Sequence, residues 1–554
     1  MPVPRMVWVT SLVVAVALVA VGMVAERFEQ PGRMVETVPS PVFVRLPAAG
    51  WQGGLAKLDQ HLHRPSGAGD VAQFTGGHAT SVWLGLVIVM LVGAEWRRGS
   101  RWRMAMLAIA QVPAWALTGS IFVLENGADD PAYRALMRVA FTVVAIATSA
   151  LLVGLLWRVL RPARSRWRSP LSAPALATGA TVLVVLNILA AFLRPPDDSS
   201  VFASLGAQRL IETGRLPYGD PILTGTPGAA YGPLMYGVHA LVQRSIAAPL
   251  NPGATLQTTL GPLSTYREPQ YLGTKLTLAL SQLGAAGALL AIGWTLDGPA
   301  LGYALVMLYC GSAYVLGYGG STEFVGGINY VSHIVPVTAT LFAFVSLATP
   351  WLAGVWLGVA AGLGFYPAFM FPVWLAYYWS KREGQWWRFA TGFAVVCGLT
   401  GVWVLTRSQP APGLGLLATI ARDTLGHHTD PAGYGSSPFG LWGQQTGLLA
   451  WLIAPLVGTS ALTSPFFGLF GGVIAVAAAL ALRASVPELS MLTAVVAMGA
   501  NLWKIHATAT YVTWFYPFLL IGLLAGGPDP NRGELAAGDR LPVGEDANDD
   551  RHQA

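Results

Sequence analysis

The chain has 554 residues, 54% hydrophobic and 11% charged, with a formal net charge of +6 and a mean hydropathy of +0.53. Soluble domains carry about a quarter of their residues as charges, so a soluble enzyme or binding module is excluded, and the modest basic excess gives no reason to expect a nucleic-acid partner. The two cysteines, Cys310 and Cys397, both sit inside apolar runs and imply no disulfide framework.

Taken in chain order, the first apolar run, "MVWVTSLVVAVALVAVGMVA", follows Arg5. It is longer than the core of a cleaved signal and lacks a small-x-small exit, so it reads as an anchor. Further runs start near residues 80, 104, 137, 171, 271, 299, 332, 350, 367, 389, 448, 466, 485 and 508. Most are long enough for a bilayer, which takes about twenty apolar residues. The expected fold is an all-α polytopic membrane protein of about 13–15 transmembrane helices. Short basic segments orient it: "WRRGSRWR" (96–103), "RPARSRWRSP" (161–170) and "SKREGQWWR" (380–388) are expected in the cytoplasm. Segments 26–79, 124–136, 194–270 and 407–447 then fall on the other face.

The C-terminal end admits two arrangements. If 448–463 and 466–482 both span, "NLWKIHATATY" is cytoplasmic; if 448–463 lies along the interface, that segment is extracytoplasmic and the tail is inside. Arg483 favours the second. From residue 527 the chain is polar, rich in Gly and Asp, and reads as disordered. Three regions are expected: N-terminal helices at 1–170 (four spans), a second membrane module at 171–526, and the tail at 527–554.

The loop at 194–270 is long for a compact membrane protein, and loops of such length are commonly functional. It opens with "RPPDDSSVFASLGAQRLIETGRLPYGDP", placing Asp197 and Asp198 at the outer end of a span. Val201, Leu205, Leu210 and Ile211 fall near one helical face with Gln208, Arg209 and Glu212 opposite, the pattern of a helix on a membrane surface. Gly214 supplies its C-cap. "AAYGPLMYGVHALVQR" starts a second, more apolar helix with Gly-Pro in its first turn. Together they predict a helical platform.

Asp198, the aromatic Phe202 four residues on, "RLIETGRLPYGDP" and "YGPLMY" resemble the first extracytoplasmic loop of GT-C glycosyltransferases, specifically the bacterial mannosyltransferase-like group that uses polyprenyl-phosphate sugars. "LGVAAGLGFYPAFMFPVWL" resembles the paired short helices of that group, although many members carry Lys or Arg where this chain has Phe365 or Tyr366. "HATATYVTWFYPFLL" resembles its final His/Tyr/Trp-Pro span. The likeness covers 171–526 and leaves out the first four spans, because the family's Asp loop normally follows its first span. It implies a GT-C-like bundle that transfers mannose or another hexose from a lipid carrier, with contacts from Tyr218 and Tyr231 of the loop motifs.

Elementary chemistry agrees. Nucleotide sugars are not available outside the cytoplasmic membrane, so a donor there is lipid-linked. The acceptor hydroxyl needs a base, and one carboxylate suffices for a single displacement that inverts the anomeric centre. Asp198 fits that role; Asp197, the adjacent catalytic candidate, points elsewhere on an extended segment. The bland alternative is that both merely cap the next helix. The leaving phosphate calls for cations, and Arg244, Arg267, Lys275, Arg422, Lys504 and His506 qualify by position. His427 and His428, in "ARDTLGHHTDPAGYGSSPFGLWG", combine with Arg and Gly turns as a phosphate or sugar contact would. Trp442, Tyr511 and Trp514 could stack on a sugar, and "STEFVGGINYVSH" could line the site through Glu323, Asn329 and His333. Asp129 and Asp130 read as the acidic start of a helix. His61, His63 and His78 have no further ligand at metal spacing, so the sequence indicates no metal site or other cofactor, and a divalent cation acting with the donor phosphate stays open. The partners expected are a polyprenyl-phosphate sugar, a glycan, glycolipid or protein acceptor, and membrane lipid. The site would lie on the outer face of the cytoplasmic membrane. The competing class is a multi-pass transporter or flippase of lipid-linked sugar, against which stands the lack of evident repeat halves.

Overall fold

A computed structural model describes residues 88–89, 101–127, 131–161, 167, 169–193, 198–223, 227–246, 255–257, 265–316, 330–381, 385–426, 465–503 and 511–525. The first apolar run, the three N-terminal histidines, Asp129 and Asp130, the 448–463 run and the polar tail lie outside them.

The described chain is helical apart from one small ribbon. In order come α1 (Arg101–Gly127), α2 (Pro131–Leu160), α3 (Ala173–Leu193), α4 (Asp198–Thr213) and α5 (Pro233–Ile246). Strands β1 (Thr255–Gln257) and β2 (Thr265–Arg267) then pair antiparallel with Leu256 opposite Tyr266. There follow α6 (Glu268–Asp297), α7 (Pro299–Cys310), α8 (Val331–Val345) and α9 (Pro350–Gly364). A 3-10 turn at Tyr366–Met370 leads into α10 (Phe371–Trp379), then α11 (Gln385–Arg407), α12 (Leu416–Ala421), α13 (Pro465–Ala481) and α14 (Val486–Trp503). A further 3-10 turn, Val512–Trp514, precedes α15 (Tyr516–Leu524). Many helices open on proline, whose missing N–H costs nothing in a first turn.

Four described helical stretches, Val143–Leu160, Leu272–Asp297, Gln385–Arg407 and Val486–Trp503, are long and apolar enough to cross a membrane. Five shorter apolar helices lie between them in the chain. In lipid there is little hydrophobic drive between helices, so close approach and hydrogen bonds hold the bundle. On α9, Gly354 and Gly358 let α11 come so near that an added Cβ at Gly354 would overlap the Phe389 carbonyl oxygen, and one at Gly358 would lie 2.9 Å from Val396 Cβ. Asn187 on α3 donates to the Cys310 carbonyl at 2.8 Å.

The N-terminal helices are stitched into the same bundle. Pro113 interrupts the hydrogen-bond ladder of α1. There the Tyr314 hydroxyl donates to the Ala110 carbonyl and accepts from the Ala114 N–H at 3.1 Å, so a side chain 200 residues away completes the helix. Gln111 reaches the Tyr516 hydroxyl at 3.4 Å.

One end of the bundle collects the basic segments. Arg158 at the end of α2 stacks on Trp102 and interacts electrostatically with Arg103 and Glu488. Lys381 donates to the Ala484 carbonyl at 2.8 Å, joining the α10–α11 link to the α13–α14 link. Ser485 and Glu488 form a capping box there, with Glu488 accepting from the Ser485 N–H at 2.7 Å and its hydroxyl at 2.8 Å. At the opposite end, Leu216 N–H donates to the Arg407 carbonyl at 2.8 Å. α12 and the start of α13 therefore lie at that opposite end, and α14 delivers its C-terminus there too. The run 448–463, on which the two C-terminal arrangements differ, lies outside the described residues. α15 then heads back, with Gly522 against Met491 and Pro487. A reporter fused after residue 530 should register on the same side as one inserted at 382–384; opposite sides in a protease-protection assay would refute this chain path.

Candidate functional site

α4 opens at Asp198 and ends at Gly214, which takes a left-handed φ of 69° and whose N–H donates to the Leu210 carbonyl at 3.0 Å, the expected C-cap. Its setting differs from the expected surface helix. Ser199, Ser200, Val201, Ala203, Ser204, Leu205 and Ala207 are all buried, because α4 packs against α5, α6 and α8. The serines explain the burial: each polar face is matched across a helix seam. Ser332 Oγ donates to Ser199 Oγ at 3.0 Å, the Val331 N–H to Ser200 Oγ at 3.1 Å, and Gln243 Nε2 to Ser204 Oγ at 2.7 Å. α8 has no side-chain cap of its own at Tyr330, so Ser200 satisfies one of its orphan N–H groups from another element.

The first turn of α4, begun by Asp198, thus lies against the first turn of α8, which carries His333. His333 is 3% exposed, with Nδ1 3.3 Å from Thr513 Oγ1. Its ring meets Tyr330 edge-on at 5.0 Å, Tyr511 at 4.4 Å and Trp514 at 5.9 Å between centroids. Trp514 in turn stacks on Tyr366 at 3.9 Å and 4°. Tyr366 follows Phe365, whose φ of 51° is the left-handed value that non-glycine residues rarely adopt. Segments 198–200, 331–333, 365–366 and 511–514 therefore converge, although they are spread across more than 300 residues of chain.

The remaining candidates take other places. Tyr218 is fully buried and donates to the Tyr231 carbonyl at 2.6 Å. Burial, with Tyr236 and Asp423 near by, pushes its phenol well above the usual range. Tyr231 donates its N–H to the Tyr236 hydroxyl at 3.0 Å. Both thus organise the turn between α4 and α5. Arg422 donates to Asp423 Oδ1 through Nε at 3.0 Å and Nη2 at 2.8 Å, while Asp423 Oδ2 receives the Gly219 N–H at 2.8 Å. Arg209 holds Asp220 in the same turn at 2.9 Å. Arg244 is exposed at the end of α5. Lys275 is buried on α6, close to where Gly273 meets Gln243 of α5. Asp198 and Arg267 are placed by backbone alone. Asp197, Glu323, Asn329, His427, His428, Trp442, Lys504 and His506 lie outside the described residues. Among the described residues no three His, Cys, Asp or Glu side chains gather at metal-ligand distance.

Two groups near the site, Tyr309 and Asn501, and the buried His239 of α5 were not singled out by sequence. Asn501 stands alone in "AVVAMGANLW", and a lone amide within an apolar run is the signal that could have found it. His239 on α5 is fully buried, with Nδ1 3.1 Å from the Met235 carbonyl and Nε2 without a partner. Burial lowers its pKa from 6.5 to about 4. The unfolded chain therefore takes up a proton near 6.5 that the folded chain refuses until about 4, so stability drops as pH falls through this window, by at most about 3 kcal/mol. His239→Leu should flatten that acid sensitivity and leave neutral-pH stability unchanged or higher. Thermal unfolding in detergent at pH 7 and pH 4.5 checks it; an equal acid loss in the variant would remove His239 as the cause.

Compared with protein families, with curated proteins and with solved structures, the chain shows no match.

Proposed function

We propose that the chain is an integral membrane glycosyltransferase, moving mannose or another hexose from a polyprenyl phosphate to an extracytoplasmic glycan, glycolipid or protein acceptor. The observation that carries this reading is the meeting of the Asp198 helix start with His333, Tyr366 and the 511–514 turn. Three motifs of the resemblance, separate in sequence, share one neighbourhood. That neighbourhood lies at the end of the bundle away from the basic loops, which by the positive-inside rule is the outer face of the cytoplasmic membrane.

In the proposed step the acceptor hydroxyl attacks the anomeric carbon as the bond from that carbon to the phosphate oxygen breaks. The hydroxyl proton passes to the Asp198 carboxylate, and the electron pair of the broken bond leaves on polyprenyl phosphate. The anomeric centre inverts. Cations are required where the phosphate charge grows, and Lys275, an ionisable side chain buried near the α4–α6 seam, is the described residue best placed to supply one.

The experiment is transfer of labelled hexose from polyprenyl phosphate in reconstituted vesicles. Labelled product on an added acceptor, with inverted configuration, is expected. Movement of intact lipid or solute across the bilayer with no sugar transferred to any acceptor would replace this reading with a transporter or flippase.

A further inference from the structure

Beside the aromatic cluster sit three buried polar groups that make no hydrogen bond. Tyr309 on α7 is fully buried and Tyr366 is 4% exposed, and neither hydroxyl has a partner. On α14, Asn501 is also fully buried; its Oδ1 accepts the Tyr511 N–H at 3.4 Å, but its Nδ2 has no partner. The three share a neighbourhood. Tyr309 lies within electrostatic range of Tyr366, Tyr366 stacks on Trp514, Trp514 lies 5.0 Å from Tyr511, and α14 packs against the Tyr366–Met370 turn.

A buried polar group left unpaired is costly, and native proteins retain few of them without a reason. Here they are gathered, and one is delivered by Phe365, whose left-handed backbone is itself costly. A group that supplies several hydroxyls would relieve the cost. Phenols donate and accept, an amide nitrogen donates, and none of the three carries charge, so the set matches neutral hydroxyls. A phosphate would call for Arg or Lys in their place.

We propose that Tyr309, Tyr366 and Asn501 form a subsite for an uncharged polyhydroxylated group, the hexose carried by the lipid donor. This rests on the glycosyl-transfer reading and adds to it the residues that recognise the sugar as distinct from its phosphate. A site built to hydrogen-bond hydroxyls discriminates strongly against ligands that lack them.

Equilibrium binding to the full chain in detergent tests it, with three probes: a short-chain polyprenyl phosphate mannose, the same polyprenyl phosphate without sugar, and free mannose. The variants are Tyr309→Phe and Tyr366→Phe, with Tyr378→Phe as control because its hydroxyl bonds the Leu347 carbonyl at the far end of the bundle. Wild type should prefer the mannosylated lipid. Each site variant should cut that preference roughly 3- to 10-fold while leaving the bare lipid unaffected, and the control should change neither. Since each site variant removes an unpaired hydroxyl, its thermal unfolding without ligand should match wild type or exceed it; should one fail to fold, the other carries the test. A preference that survives in both variants overturns the subsite and leaves the transfer reading standing. Free mannose bound in a Tyr309- and Tyr366-dependent manner, with neither lipid bound, keeps the subsite and removes the transfer reading. Absence of any sugar-dependent binding overturns the subsite outright.

Discussion

Asp198→Asn is expected to lower sugar transfer by roughly 10²–10⁴-fold, the range a positioned general base contributes. Asparagine keeps the size of aspartate and most of its hydrogen bonding but does not accept the acceptor's proton. Binding of the lipid-linked donor should survive, because in the proposed site cations, not this carboxylate, hold its phosphate. The fold should survive as well: residues 199, 200 and 204 anchor α4 through their own hydroxyls to Ser332, Val331 and Gln243. Asp197→Asn should be much milder, since adjacent side chains on either side of a helix start do not face one point. Rate and donor binding are measured side by side in vesicles. Equal losses in the two variants would mean the pair acts as a helix N-terminal charge, worth less than about 1 kcal/mol, and the base would have to be sought elsewhere.

The periodicity of the apolar runs located the helices well. Runs expected near 299, 332, 350, 466 and 485 begin in the structure at Pro299, Val331, Pro350, Pro465 and Val486. Proline at several of these starts is a local signal, so a single chain reveals it. The platform was legible as two helices but not in its depth. Ser199, Ser200 and Ser204 carry no local sign of burial, yet each is matched by a partner on α8 or α5 that no local window contains. The ribbon β1–β2 escaped because three-residue strands carry too little alternation to register. At the site, His333, Tyr511 and Trp514 were named and lie together, whereas Tyr218 and Tyr231, named as contacts, have hydrogen-bonding groups tied into the turn that supports α4 and α5. Tyr309 could not have been found: one tyrosine in "ALVMLYC" looks like core until its hydroxyl is seen to lack a partner.

Gly219→Ala should be the most damaging small change in the platform, costing roughly 3–5 kcal/mol. Gly219 sits at φ 76°, where a Cβ strains the backbone. That Cβ would also overlap the Gln409 carbonyl oxygen and come within 2.8 Å of its carbon, and these are backbone atoms that do not swing aside. Relief requires the 214–223 turn to part from the segment after α11. The parting breaks Leu216 N–H to the Arg407 carbonyl at 2.8 Å and Gln409 N–H to the Tyr218 carbonyl at 3.2 Å. It also strips the Gly219 N–H from Asp423, a carboxylate only 2% exposed. Gly413→Ala isolates the cause: Gly413 has nearly the same φ, 78°, but nothing within 4 Å of an added Cβ. It should cost only the backbone strain, about 1–2 kcal/mol. Thermal unfolding and limited proteolysis of the 214–223 turn in both variants measure the difference. Because Tyr218 holds the Tyr231 carbonyl from this turn, transfer activity should fall with it in Gly219→Ala and persist in Gly413→Ala. If the two alanines behave alike, contact with Gln409 is not what clamps the turn, and the platform owes its rigidity to the α4 serine seams instead.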